Sequence, residues 1–144
     1  MPEPVANPLT LVMDIKSKDD HDRLQAILAE LQSRPPGENP ITAALDGLSI
    51  VHFARFVFLS ERQLAVITTY DGDLVRYIEL FAARIGHVFD LLLSHVKDAP
   101  PLPVSEHPDE FLDYVRRHDV PCVGTLYSAY PRLKVLDILT LQRG

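Results

Sequence analysis

Two β-rich runs that lie close together in the sequence constrain the fold more than any other feature. Residues 50–59 and 64–71 are rich in β-branched and aromatic side chains, and only the polar residues 60–63 separate them. This pattern predicts a β-hairpin. Neither run has a polar face, because Phe56 and Phe58 lie on one side of the first strand whereas Phe53 and Val57 lie on the other. We therefore expect a second subunit or a ligand to cover the sheet face that the helices leave bare.

The remaining elements follow from periodicity and capping residues. Residues 9–15 alternate as a strand, and hydroxyl and acidic residues at 17–22 begin a helix that runs to Leu31. A short helical turn is expected at 41–48, a long helix from Asp73 to Val96, and a further helix over 108–118. Residues 123–130 predict a last strand and residues 134–142 a terminal helix.

This order predicts an α+β protein of the ferredoxin-like βαββαβ type. Its sheet would have four antiparallel strands with helices on one face, and extra helices near the C-terminus. Residues 1–8 are expected to form a flexible N-terminal tail, and residues 9–144 a single domain.

Composition excludes several classes of protein. The chain has one cysteine among 144 residues, which excludes an internal disulfide framework and a Cys-rich zinc module. Its net charge of -6 argues against partners such as nucleic acid and anionic membranes. No apolar run approaches the roughly 18 residues that a membrane-spanning helix needs. We therefore expect a cytoplasmic protein.

Three segments resemble those of a known superfamily. They are residues 52–56 (His-Phe-Ala-Arg-Phe), 69–72 (Thr-Tyr-Asp-Gly) and 127–131 (Tyr-Ser-Ala-Tyr-Pro). With the order of elements, they resemble the dimeric α/β-barrel proteins, in which two ferredoxin-like sheets pack their open faces together. The resemblance implies a homodimer with a pocket between sheet and helices. The superfamily includes cofactor-free monooxygenases acting on aromatic polyketides, small-molecule isomerases, and haem enzymes such as chlorite dismutases and dye-decolourising peroxidases, so the fold alone does not identify a reaction.

One cross-strand pair is the main catalytic candidate. If the hairpin pairs Leu59 with Leu64, then His52 faces Asp71. A carboxylate that fixes the imidazole tautomer makes a histidine a better general base, so the pair is predicted to handle a proton. The alternative is a structural histidine that the carboxylate satisfies at the edge of the sheet.

The same register places Phe53 opposite Tyr70 and Arg55 opposite Thr68. Arg55 would need a carboxylate, a dimer partner or an anionic ligand. Phe53, Tyr70 and Tyr127 are predicted to bind a flat substrate, with aromatic core packing as the alternative.

The other reactive side chains point less clearly to a site. His87 and His95 lie on the long helix and suggest a haem ligand, although His87 is expected on the face opposite the apolar stripe. His21 and His107 lie among acidic residues at helix starts, without the spacing of a metal site. Cys122 has no neighbouring cation in sequence and is expected to be a buried, inert thiol.

Together these patterns predict a homodimer that binds a small, apolar or aromatic organic molecule. If it is an enzyme, the sequence favours a cofactor-independent monooxygenase or isomerase, with no metal and no cofactor. A haem-binding oxidoreductase and a noncatalytic dimer remain as alternatives. A Soret absorption band would distinguish the haem protein from the others.

Overall fold

The computed structural model describes residues 3–143, and its sheet has three strands. These are β1 (Ala6–Asp14), β2 (Val51–Ser60) and β3 (Gln63–Asp71). β3 lies in the centre and pairs antiparallel with both neighbours, so that the order is β1-β3-β2. The α+β class is therefore as predicted, but the predicted four-stranded ferredoxin-like sheet is wrong.

The helices within the described residues are α1 (Lys18–Ser33), α2 (Pro40–Leu48), α3 (Leu74–Leu93), α4 (Pro108–His118) and α5 (Val135–Gln142). Each corresponds to a helix or helical turn that the sequence predicts. Ser17 caps α1 by accepting a hydrogen bond from Asp20 N–H, and Asp73 caps α3 in the same way through Arg76 N–H. The strand β1 begins at Ala6, three residues before the predicted start, so the last residues of the expected tail belong to the sheet.

The main core lies between one face of the sheet and helices α1, α3 and α4. Alternate strand residues point into it, because side chains along a strand alternate between its two faces. The buried residues that contribute are Leu9, Leu11 and Met13 of β1, Leu64, Val66 and Tyr70 of β3, Leu24 of α1, Phe89 of α3 and Phe111 of α4. The opposite face of the sheet, which we call the open face, carries the odd-numbered residues of β3.

The predicted fourth strand does not form, because the outer edge of β1 is already hydrogen-bonded at Thr10 and has no donor at Pro8. Thr10 N–H donates to the Asp119 carboxylate at 3.0 Å, and Thr10 C=O accepts from Val120 N–H at 2.8 Å. The even-numbered residues of β1 therefore point their backbone groups outward, and one of them is Pro8, which has no N–H to offer a fourth strand.

Chain length also prevents the pairing. The segment after α4 is fixed to β1 at Leu11, which bridges Asp119, and again at Val5, whose N–H donates to Pro131 C=O at 2.8 Å. Between these two contacts the segment advances from residue 119 to 131, whereas β1 runs only from 11 to 5. The segment therefore has twice as many residues as β1 between the same two contacts. Residues 120–131, which we call the arm, therefore leave the sheet as an irregular loop, with Val123 99% exposed.

Candidate functional site

An irregularity in β2 places the predicted catalytic histidine. Val51 pairs with Tyr70 and Phe53 with Thr69, so that His52 is an extra residue in a β-bulge. The hairpin turn contains only Glu61 and Arg62. Ser60 pairs with Gln63, which continues the predicted register, but a second bulge at Leu59 places Phe58 opposite Leu64. The predicted partners of Phe53 and Arg55 were therefore wrong by one residue. The bulge at His52 nevertheless turns this side chain toward the end of β3, where Asp71 lies.

His52 and Asp71 form a short, largely buried pair. The distance from His52 Nε2 to Asp71 Oδ1 is 2.7 Å, and the two side chains are 11% and 7% exposed. The other carboxylate oxygen of Asp71 accepts a hydrogen bond from Val135 N–H, in the first turn of α5, at 2.8 Å. Asp71 thus joins the hairpin to the C-terminal helix, and both of its oxygens have a donor.

The hydrogen bond at Nε2 leaves the other ring nitrogen available. Within residues 3–143, His52 Nδ1 has no hydrogen-bond partner and is not among the buried unpaired atoms. If Asp71 accepts a hydrogen bond from Nε2–H, as a carboxylate must, the neutral ring carries its lone pair on Nδ1. A ring oriented in this way can accept a proton at Nδ1, and Asp71 stabilises the resulting imidazolium.

The neighbouring residues of the open face provide an apolar surface and two polar groups. Phe53 is 78% exposed and Arg55 is also exposed, without an ion pair to any described carboxylate. Thr69 lies opposite Phe53, and its hydroxyl is buried without a hydrogen-bond partner in the described part of the chain. An unpaired buried hydroxyl is uncommon, and here it lies two residues from Asp71 on the same face of β3.

The two remaining predicted site residues lie elsewhere. Tyr70 points into the core and stacks on Tyr77, with ring centroids 4.4 Å apart. Burial, with Asp119 and Asp73 nearby, raises the pKa of its hydroxyl. Tyr127 lies on the arm and is 81% exposed. The structure therefore brings His52, Asp71, Phe53 and Arg55 to one face, places Tyr70 on the opposite face, and leaves Tyr127 exposed on the arm.

Sequence reasoning missed a second histidine–carboxylate pair. The Ser17 hydroxyl donates to one oxygen of Asp20 at 2.6 Å, and His95 Nδ1 lies 2.7 Å from the other. The hydrogen bonds from Ser17 and His95 hold the pKa of Asp20 below its ordinary value. Ser17 contacts the carboxylate and not the imidazole, so the arrangement does not activate a nucleophile. Its role is to fasten the start of α1 to the end of α3, and only the capping serine could have been recognised in the sequence.

The space between the sheet and the helices is nearly filled. One cavity there has a volume of about 10 Å³ and is lined by core side chains such as Leu9, Tyr77 and Phe89. That is room for about one water molecule, whereas sites for organic ligands occupy roughly 300–1,000 Å³. This cavity is therefore too small for the ligand expected between sheet and helices. It does not fit a haem either, and the candidate ligands do not face it, since His87 is exposed and His95 binds Asp20.

The other candidate groups form no metal site. Among residues 3–143 there is no cluster of three or more His, Cys, Asp or Glu side chains that could hold a metal ion. His21 bonds its neighbour Asp22 at 3.1 Å and packs its ring against Phe58. Cys122 lies on the arm and is exposed, so the expectation of a buried thiol was wrong.

Comparisons of the chain with protein-family models, with curated proteins and with solved structures found no match. Among the described residues, no helix has the length and apolar character needed to cross a membrane.

Proposed function

We propose that the protein is a homodimer that binds a small organic molecule with an apolar or aromatic body on the open face of the sheet. The observation that carries the proposal is the His52–Asp71 pair, at 2.7 Å, with His52 Nδ1 unpaired among the described residues and the exposed Phe53 ring next to it in sequence. Phe53 would pack against the ligand, and Arg55 would bind an anionic group on it.

The chemistry that this geometry favours is proton transfer. His52 Nδ1 takes a proton from an acidic C–H or O–H group of the ligand, and the Asp71 carboxylate stabilises the imidazolium that forms. Return of the same proton to another atom of the ligand completes an isomerisation without any co-reactant. Cofactor-independent oxygenation would begin with the same step, with dioxygen as the oxidant and the deprotonated ligand as the electron donor.

The exposed apolar surface supports the homodimer. Phe53 and Leu59 of β2 are 78% and 53% exposed, and the arm adds Val123 and Tyr127. An exposed apolar edge strand such as β2 is typical of surfaces that another chain covers. Sedimentation velocity of the purified chain tests this part directly, because a single monomeric species across micromolar concentrations would contradict it.

The proton-transfer part is tested by isotope exchange. The protein is incubated in D2O with an enolisable aryl ketone as the probe, and deuterium incorporation is followed by proton NMR. We expect His52→Gln to reduce the protein-dependent rate by about 10²-fold or more, the usual contribution of a general base. The matched control is His87→Gln, which changes an exposed histidine on α3 and should leave the rate unchanged.

A noncatalytic dimer is the second candidate, and one observation favours it. The Asp71 carboxylate also holds Val135 at the start of α5, so the pair has a structural task whether or not a ligand binds. Equal exchange rates in the unmodified protein, His52→Gln and His87→Gln would contradict proton transfer and leave the noncatalytic dimer.

A further inference from the structure

The two edges of the sheet differ in their ability to pair with another strand. The outer edge of β1 is closed by Asp119 and Val120 at Thr10, lacks a donor at Pro8, and binds Lys97 N–H through Asp14 C=O at 2.8 Å. The outer edge of β2 carries no strand among the described residues. β2 is ten residues long and contains no proline and a single charge, Arg55. Such an edge is a template for pairing with another chain.

The backbone groups that β2 leaves unpaired follow from the register. Because the even-numbered residues of β1 point outward, its odd-numbered residues bond to the even-numbered residues of β3. The odd-numbered residues of β3 therefore bond to β2, and their partners are Phe53, Arg55 and Val57. The even-numbered residues of this stretch point their N–H and C=O groups outward from the edge of the sheet; these are Ala54, Phe56 and Phe58.

We propose that β2 pairs antiparallel with β2 of a second copy of this chain, with Phe56 opposite Phe56 across a twofold axis. The inference rests on the proposed homodimer but not on the proposed ligand. Since β1 offers little free edge, pairing of β2 with β2 is the arrangement that closes at two subunits, whereas pairing of β2 with β1 would extend into a filament.

The side chains are self-complementary in this register. Ala54 lies opposite the partner's Phe58, and Arg55 lies opposite the partner's Val57, so that no two arginines face each other. Phe53 comes next to the partner's Leu59, which joins the two most exposed apolar side chains of β2. The three outward residues of each copy together form about six backbone hydrogen bonds. A register shifted by one pair would place Arg55 opposite Arg55.

The register places Leu59 of one copy beside the candidate site of the other. Phe53 directly follows His52 in the bulge, so a partner's Leu59 against Phe53 extends the apolar wall next to the His52–Asp71 pair. The ligand site of each protomer would then include a residue of the other copy. This would explain why so apolar a strand is left with its outer edge uncovered.

The register predicts a specific disulfide. In a background in which Cys122 is replaced by Ser, one preparation carries Arg55→Cys and another carries Val57→Cys. Cross-strand neighbours that are not hydrogen-bonded to each other have Cα atoms about 4.5 Å apart, within the range of a disulfide, whereas position 55 and its own copy would be about 8 Å apart. We expect oxidation of the mixture to give a cross-linked dimer of the two variants, at least tenfold more than either variant forms alone.

A proline variant tests the same edge without cross-linking. Ala54→Pro removes an outward N–H of β2, and the exposed position does not contribute to bonds with β3. We expect it to raise the dimer dissociation constant by tenfold or more. Ala54→Ser is the matched control, because it changes the same exposed side chain but keeps the outward N–H, and it should leave the constant unchanged. Circular dichroism checks that both variants fold.

The outcomes separate this inference from the proposed homodimer. A monomeric unmodified chain overturns both. Three results would overturn the pairing of β2 but not the homodimer. They are the absence of a mixed disulfide, equal cross-linking through Arg55→Cys alone, and a dimer that dissociates on deletion of the arm but not with Ala54→Pro. A mixed disulfide together with a weakened Ala54→Pro dimer supports it.

Discussion

Comparing Asp71→Ala with Asp71→Asn separates the structural and chemical tasks of the Asp71 carboxylate. The side chain is 7% exposed and accepts one hydrogen bond from His52 and one from Val135 N–H. Asp71→Ala removes both acceptors at once. Asp71→Asn is the informative companion, because an amide can still accept from Val135 N–H while its NH2 group donates to His52 Nε2.

The expected cost of Asp71→Ala follows from these two bonds. A hydrogen bond to a charged group contributes about 1.5–3 kcal/mol, and loss of a helix cap costs about 0.5–2 kcal/mol. We therefore expect the free energy of unfolding to fall by about 3 kcal/mol. For a chain of this size the melting temperature would fall by roughly 6–12 °C. Asp71→Asn should cost less than about 1 kcal/mol, since both neighbours keep a partner.

The companion variant has a chemical consequence of its own. If the side-chain amide introduced by Asp71→Asn donates to Nε2, His52 must carry its proton on Nδ1, and the lone pair that accepts a proton is lost. Asp71→Asn should therefore reduce isotope exchange about as strongly as His52→Gln while remaining nearly as stable as the unmodified protein.

Urea denaturation and hydrogen exchange measure these effects. The control is Asp46→Ala, which removes an exposed carboxylate and should change stability by less than about 0.5 kcal/mol. In Asp71→Ala the amides of α5 should lose protection before those of the sheet, since Asp71 holds the first turn of that helix. An Asp71→Ala protein as stable as Asp46→Ala, or an α5 that keeps its protection, would contradict the structural role given to this carboxylate.

The remaining predictions concern buried hydroxyls, alkaline pH and a helix cap. Tyr77→Phe should lower the free energy of unfolding by about 1 kcal/mol in a urea titration, because the Tyr77 hydroxyl donates to Thr68. Tyr114→Phe should leave the free energy of unfolding unchanged or raise it, because the buried Tyr114 hydroxyl has no partner among the described residues. Burial raises the pKa of Tyr77 from 10.0 to about 12, so between these pH values unfolding releases the proton of its hydroxyl. As pH rises through this window, Tyr77 should lower the free energy of unfolding by about 1.4 kcal/mol per pH unit. A Tyr77→Phe protein with the same slope would contradict the assignment. Ser17→Ala should cost about 1 kcal/mol and bring the pKa of Asp20 back toward 3.8 in an NMR titration; an unchanged pKa would show that His95 alone lowers it.

Local patterns were enough to predict most of the elements. The helix starts at Ser17 and Asp73 have capping side chains, and α3 shows an apolar stripe over its whole length. These features depend on residues a few positions apart, so the sequence displays them directly. The hairpin was predictable for the same reason, since its two strands are separated only by a short polar turn.

The failed fourth strand and the missed contacts of Asp71 involve residues that meet across long stretches of sequence. The strand predicted at 123–130 has the right composition, but whether it pairs depends on the outward groups of β1 and on the Asp119 carboxylate, more than a hundred residues away from Thr10. The pairing of His52 with Asp71 was found through a register that was itself wrong, because two bulges in β2, at Leu59 and at His52, shift the pairing and the sequence does not display them. Nothing in the sequence indicated that Asp71 also binds Val135, or that Tyr70 would stack on Tyr77.

The surplus length of the arm gives the chain an unusual freedom. Both of its ends are fixed, at Leu11 and at Val5, by contacts that do not depend on what lies between them. Lengthening a loop whose ends are already fixed adds little entropic cost, roughly 0.6 kcal/mol for each doubling. Residues 122–130 are therefore the place where a peptide tag or a fluorescent reporter can be spliced into the chain with the least disturbance to the sheet.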